Sequence, residues 1–243
     1  MGKLEGKTVF LTGGGGGIGR AIATSLAKEK ARIVLIGGNN EEKLKKTFDE
    51  VTALNAECFV FKGDLTCDKA LDDMFDKAID TVKKVDILIN NAGVAHSQEF
   101  EKVTRAELDK IMNVNFRAPY MLTQRALPYL LKSNYASIIN IASVVSHAGY
   151  PLQSAYTASK HALLGFTKSL AIELYEKGVR VHAISPGGVY TDMIKVSRPD
   201  LTSDGMIMPE EIADIVKFLL ENRGNAVIDE IIVHRVKKQP FLV

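Results

Sequence analysis

The sequence predicts an α/β fold, with a doubly wound parallel sheet of about seven strands and helices on both faces. Three observations predict it. Short β-branched runs alternate with longer amphipathic segments along the 243 residues, the pattern of βαβ crossovers. The strand runs are apolar at odd and even positions alike, as in strands buried on both faces. Five consecutive glycines, Gly13 to Gly17, follow the first strand and open the first helix.

The elements follow in order. Thr8–Leu11 reads as the first strand and Ile18–Lys30 as a helix. Arg32–Ile36 is the second strand, and Glu41–Leu54 a helix with Asn39 or Asn40 as its N-cap. Phe59–Phe61 is the third strand and Asp68–Val82 the next helix. Asp86–Ile89 is the fourth strand. A long helix runs over Arg105–Leu131, with a kink expected at Pro119. Ser137–Ile141 is the fifth strand, and the helix bearing Tyr156 runs to Lys177. Val179–Ile184, a helix over Glu210–Glu221 and a last strand over Ile228–Val233 complete the pattern. No repeat or linker interrupts it, so one domain over residues 1–243 is expected.

A hydrophobic fraction of 46% and a charged fraction of 25% are those of a soluble globular protein. The net charge of +2 without a basic block excludes nucleic acid as the main partner. No apolar run is long enough to span a bilayer and no signal peptide is read, so no membrane partner and a cytoplasmic location are expected. Cys58 and Cys67 are read as reduced, partly buried thiols, and the five scattered histidines predict no metal site.

Candidate chemistry concentrates in Gln153–Lys160. Tyr156 and Lys160 are four apart and share one face of a helix. A positive charge beside a phenol favours the phenolate. Lowering its pKa from near 10 to ~7 takes roughly 4 kcal/mol, of which the lysine supplies much and a positively charged cofactor ring the rest. Such a tyrosine gives a proton to a carbonyl oxygen or takes one from an alcohol. The spacing alone also occurs on many helices as an aromatic beside a solvated lysine. The glycine run lets a diphosphate approach backbone N–H groups at a helix N-terminus. The second strand ends in Gly37-Gly38-Asn39-Asn40, without the acid that binds a free ribose 2′-OH or the arginine that accommodates a 2′-phosphate. NADP(H) is favoured over NAD(H), because Gly38 removes a group that would repel a phosphate and Asn39 can donate to one. Asp64 either accepts from an adenine amino group or caps the next helix. Asn90-Asn91-Ala92-Gly93 suits a turn beside a cofactor.

Thr12-Gly13-x-x-x-Gly17-x-Gly19, Asn90-Asn91-Ala92-Gly93, Asn115, Ser143, Tyr156-x-x-x-Lys160 and Pro186-Gly187 have the order and spacing of the short-chain dehydrogenase/reductase family, and the chain resembles it from Lys7 to Val233. The resemblance implies a Rossmann-type domain and hydride transfer between a nicotinamide and a carbonyl or secondary alcohol. It implies Tyr156 as general acid/base and Lys160 as the group that lowers its pKa and binds the nicotinamide ribose. Ser143 would hydrogen-bond the substrate oxygen, with Ser146 nearby as its competitor for that role. Asn115 would support a water chain from Lys160. Cofactor contacts are expected at Gly13, Gly17, Ile18, Gly19, Gly38 and Asn39, at Asp64 and Leu65, and at Asn91, Ala92 and Gly93, with Asn90 near the ribose. Pro186, Gly187, Val189 and Thr191 complete them, Thr191 at the carboxamide or as a plain helix N-cap.

Residues 190–208 lie where the family carries a substrate lid. Met193, Ile194, Met206, Ile207 and Met208 there, with Val145, Tyr150 and Leu152, suggest an apolar pocket for a ketone or 3-oxoacyl-like substrate; His147 is read as its polar contact or as a surface residue. Residues 234–243 replace the family's glycine-rich ending, and Phe241-Leu242-Val243 is expected either to dock on a neighbouring subunit or to fray. A homodimer or homotetramer is implied, with the stripe Leu163, Phe166, Leu170 and Leu174 facing either a subunit or the sheet. A dinucleotide-sensing or scaffold protein without turnover is the alternative to an enzyme.

Overall fold

The computed structural model describes residues 2–197 and 202–239. Seven strands form one sheet: β1 (Thr8–Thr12), β2 (Arg32–Ile36), β3 (Cys58–Phe61), β4 (Ile87–Asn90), β5 (Ser137–Ile141), β6 (Arg180–Pro186) and β7 (Glu230–Val233). Their order is 3-2-1-4-5-6-7, and every neighbouring pair is parallel. The helices are α1 (Gly17–Lys28), α2 (Glu41–Ala53), α3 (Asp68–Val82), α4 (Arg105–Met112), α5 (Ala118–Leu130), α6 (Ser154–Leu174), α7 (Asp192–Ser197) and α8 (Pro209–Glu221).

Each parity of the strands feeds its own core. Leu11, Ile33 and Leu35 pack with Ile22 and Leu26 of α1, Val51 of α2, and Val216 and Leu220 of α8. Phe10, Val34 and Leu88 face the other way, onto Phe75 of α3, Leu122 of α5 and Leu174 of α6. Burying each such side chain contributes about 1.5–3 kcal/mol, which is why the strands read as unbroken apolar runs. After β3 the chain crosses back to pair β4 with the free edge of β1. Crossovers leave β1 and β4 for opposite faces, and a crevice opens at their carboxyl ends.

The long helix expected over 105–131 is broken. Asn113–Arg117 forms a π-helical turn between α4 and α5, and Pro119 lies in the first turn of α5 rather than at a kink. Proline cannot donate to the carbonyl four residues back, here that of Asn115. The ladder therefore slips to a wider turn upstream of the proline, with Ala118 N–H donating to the Asn113 carbonyl. Asp86 lies before β4 and its buried carboxylate accepts from Thr8 N–H at 2.8 Å. The last strand begins at Glu230, not Ile228. Cys67 is exposed, while Cys58 is buried. Leu163, Leu170 and Leu174 are buried, the latter two within the core under the sheet, so that stripe faces inward. Phe241–Val243 lie outside the described residues, as do residues 198–201 of the expected lid. Among the described residues, no helix is long and apolar enough to cross a membrane.

The start of α1 is crowded by backbone. A Cβ on Gly19 would run into the Gly13 carbonyl and come within 2.7 Å of the Asn91 amide. Gly165, by contrast, lies exposed in α6 with open space around its would-be Cβ. Gly19→Ala should therefore lower stability by about 1–3 kcal/mol. Gly165→Ala should raise it by about 0.5–1 kcal/mol by restricting the unfolded chain and favouring the helix. Denaturant unfolding of both variants checks the pair.

Candidate active site

The loop from Thr12 to Gly17 turns β1 into α1. Gly13 takes φ +68°, a left-handed conformation open to glycine, and its carbonyl accepts from Gly16 N–H at 3.1 Å. Gly16 occupies the N-cap of α1 without a side-chain bond, and no acidic residue lies in the first turn. The helix therefore presents its first N–H groups and the positive end of its dipole outward. The end of β4 is stapled to this loop. Thr12 Oγ1 accepts from Asn91 N–H and Ala92 N–H, each at 3.0 Å. The Asn91 side chain donates to the carbonyls of Thr12, at 3.0 Å, and Gly13, at 3.2 Å.

A groove of about 590 Å³ runs across the strand ends. At one end it is lined by Gly13, Gly17, Ile18 and Gly19, by Gly38 and Asn39 after β2, and by Asp64 and Leu65 after β3. Asn91, Ala92 and Gly93 follow β4, and Pro186, Gly187, Val189 and Thr191 follow β6. Ser143, Tyr156 and Lys160 line the same groove. The glycine loop leaves no side chain between the groove and the N-terminus of α1, and this cradle fits the diphosphate of a dinucleotide.

Ser143 and Tyr156 line the same stretch of the groove, near enough for the serine hydroxyl to act on the phenol. Ser143, just past β5, donates to the Pro186 carbonyl at 3.3 Å. Tyr156, in the first turn of α6, is half-buried at the groove wall. Ser146 is not part of this pair, since its hydroxyl donates to the Lys160 carbonyl at 3.0 Å inside the core. Lys160 is only 4% exposed. Its Nζ lies 6.0 Å from the centre of the Tyr156 ring and donates to the Ile141 carbonyl at 2.8 Å. Burial holds the Lys160 ammonium down at about 8. Burial likewise pushes the Tyr156 phenol above its ordinary value, and the Ser143 hydroxyl opposes this more weakly. The phenol is therefore a neutral acid in this state, and not the lysine-tuned phenolate that the i,i+4 spacing suggests.

Asn115 sits inside the π-turn and is fully buried. Its Oδ1 accepts from Val94 N–H at 2.8 Å, while its Nδ2 donates to the Val94 carbonyl and to Ser159 Oγ, each at 3.0 Å. The side chain braces the loop after β4 against α6 and makes no bond to Lys160. Asn90 is likewise turned away from the groove, donating to Asn140 Oδ1 at 2.8 Å and Thr123 Oγ1 at 3.2 Å in the core. The parity of β4 sends Asn90 inward, and the next residue, Asn91, faces the glycine loop.

Other expectations change in their reasons. Gly38 adopts φ +91°, so the backbone requires glycine there whatever ligand lies beside it. Asp64 Oδ1 accepts from Thr66 N–H at 2.8 Å, and that bond holds its carboxyl below the usual range. It caps a turn, the N-cap of α3 being Cys67. Asn40, not Asn39, caps α2, accepting from Lys43 N–H at 2.9 Å. Met193 and Ile194 line the groove, whereas Met206 and Ile207 are buried beside it and Met208 begins α8. His147 bonds Glu230 at 2.7 Å, outside the groove.

Sequence reasoning missed Lys43. Its side chain packs over Gly15, lines the groove and pairs with Asp192 at 2.5 Å. The signal was its place in the first turn of the helix that follows the ribose-reading strand end. Also missed were His234, Arg235 and Lys238, which reach the groove from beyond β7.

A family model described as short chain dehydrogenase matches residues 7–202. The chain is 34% identical over 221 residues to the acetoacetyl-CoA reductase of Cupriavidus necator, covering 88% of this chain and 90% of that protein. It is 31% identical over 239 residues to a 3-oxoacyl-(acyl-carrier-protein) reductase of Aquifex aeolicus, covering 95% and 96%. Among solved structures, a metagenomic short-chain oxidoreductase in complex with NADP superposes with a TM-score of 0.84 at 31% identity, over 97% of this chain and 100% of that one. Carveol dehydrogenase from Mycobacterium avium, in complex with NAD, gives 0.86 at 25% identity, over 96% and 98%.

The depressed Lys160 has a thermodynamic consequence. Between pH 8 and its unfolded value near 10.5 the unfolded chain binds the extra proton, so this group makes stability rise with pH across that window. Below pH 8 burying the charge costs roughly 3 kcal/mol. Lys160→Met should stabilise the cofactor-free protein at pH 7 and flatten the rise between pH 8 and 10. Urea unfolding at stepped pH values tests this, and an unchanged slope in the variant would contradict it.

Proposed function

This chain belongs to the short-chain dehydrogenase family, and from that premise we propose that it interconverts a ketone and a secondary alcohol with a nicotinamide cofactor. The observation that carries the reading is that Ser143, Tyr156 and the buried Lys160 line one groove with an uncapped helix N-terminus. The bound nicotinamide supplies or accepts the hydride.

The chain's own residues do the rest. In reduction, Tyr156 donates its phenolic proton to the carbonyl oxygen as hydride reaches the carbon; in oxidation its phenolate takes the proton from the alcohol. Ser143 holds the substrate oxygen within reach of Tyr156. Lys160 would hold the cofactor ribose, and its charge, with that of an oxidised nicotinamide, would offset the burial that keeps the phenol protonated. Asn115 positions Val94 and α6. Thr191, resting on Gly17, contacts the cofactor beside the α1 N-terminus.

NADP(H) is the preferred cofactor. Charge supports this: no acid stands at the end of β2, and both Asn39 and Lys43 line the groove there. Of the lid expected over 190–208, Met193 and Ile194 give the groove an apolar wall that suits a ketone or 3-oxoacyl-like substrate. The names of the two relatives, an acetoacetyl-CoA reductase and a 3-oxoacyl reductase, support that class.

Two measurements check the reading. Tyr156→Phe should lower kcat at least 10²-fold, the range of a lost general acid, while cofactor affinity stays close to that of the parent. In nicotinamide fluorescence titrations NADPH should bind more tightly than NADH, and Lys43→Gln should narrow the gap. Turnover retained in the first variant, or a preference for NADH in the parent, would contradict the proton role or the cofactor preference respectively.

A further inference from the structure

Resting on the oxidoreductase reading above, we infer that the segment after β7 makes a cationic collar, Arg235 and Lys238 flanked by His234, that selects a carbonyl substrate bearing an anionic group. All three line the groove. Past β7 the chain crosses the loop after β6, where the Val233 carbonyl accepts from Gly187 N–H at 2.8 Å. The Arg235 side chain lies along Gly188, its Cδ only 3.5 Å from where a Cβ would stand there. Arg235 therefore lies against Gly188, two residues along the chain from Pro186, whose carbonyl accepts from Ser143. That places it at the proton-transfer end of the groove.

The partners of the two cations are neutral. Arg235 Nη1 lies 3.3 Å from Met206 Sδ. Lys238 N–H donates to the Arg235 carbonyl at 2.9 Å, and its Nζ donates to the Tyr150 hydroxyl at 3.0 Å. Neither makes an ion pair among the described residues, while Lys237 between them turns away to pair with Asp204. The carboxylates nearby are engaged. Glu230 is held by His147 at 2.7 Å and by Ser185 at 2.5 Å, and Asp192 by Lys43. Asp64 lines the groove beyond β3, across the sheet from β6. Half-buried cations against a thioether and a phenol keep their charge uncompensated, and an entering anion gains a charge-assisted hydrogen bond from each. The anion is a carboxylate on a small oxo acid or a phosphate on a larger carrier thioester.

The test uses the full chain with NADPH and two matched substrate pairs. 3-Oxobutanoate is set against its methyl ester, and acetoacetyl-CoA against acetoacetyl-N-acetylcysteamine, which lacks the phosphates. The parent should favour the anionic member of at least one pair in kcat/KM by tenfold or more, and the pair identifies carboxylate or phosphate as the source. Arg235→Gln with Lys238→Gln should reduce that ratio at least tenfold, and Arg235→Lys should keep most of it. A second readout needs no turnover: calorimetric titration of the NADPH complex with butanoate, butanamide and butyl phosphate. At least one of the anions should bind at least tenfold more tightly than the amide, and the double variant should lose the difference. Equal binding of all three, or a preference that survives the double variant, overturns the collar. NADPH binding with no reduction of any of the four carbonyl compounds would instead overturn the oxidoreductase reading, and the calorimetry still judges the collar.

Discussion

One threonine and one asparagine hold the ends of β1 and β4 together, and the groove depends on them. Without side-chain bonds, two neighbouring strands whose crossovers leave for opposite faces would end in unpaired backbone groups at the point where the sheet opens. Thr12 Oγ1 takes two of the N–H groups, and the Asn91 amide takes two of the carbonyls. The glycine loop can then stay free of side chains and still be fixed. The positive end of α1 is left exposed to the groove by a loop whose Gly13 carbonyl is held by Gly16 N–H and the Asn91 amide.

The second constraint is burial of charge beside the hydroxyl pair. Lys160 is enclosed with a backbone carbonyl as its only hydrogen-bond partner among the described residues, an arrangement that costs stability. Tyr156 is driven towards its neutral form by the same enclosure. On the proposed function, a bound nicotinamide with its positive ring and ribose hydroxyls would offset both penalties at once. Asn115, bonded to Val94 and Ser159, fixes where α6 sits and thereby where both groups point.

Much of this was legible in the sequence, for stated reasons. Doubly buried strands leave apolar residues at both parities, and glycine runs at a strand–helix junction have few other uses, so the sheet and the cradle could be read directly. Tyr156 and Lys160 were readable through helical spacing. What was not legible depended on contacts across the chain. The π-turn at Asn113–Arg117 follows from Pro119 acting one turn upstream. Gly38 reads in sequence as room for a ligand, whereas its positive φ explains it by backbone. Asn90 and Asn91 are chemically alike, and only strand parity tells which faces the core. Lys43 and the residues after β7 reach the groove from elements that look solvent-facing in isolation.

The central claim is that Tyr156 carries the proton and that occupancy of the groove, rather than Lys160 alone, makes its phenolate accessible. The direct measurement is an ultraviolet difference titration of tyrosinate, parent minus Tyr156→Phe, with and without saturating oxidised cofactor. The account predicts one phenol titrating above about 10 in the free protein and shifting downward by more than a pH unit when the cofactor is bound. A phenol whose titration is unmoved by the cofactor, or one already ionised near neutral pH in the free protein, would contradict it.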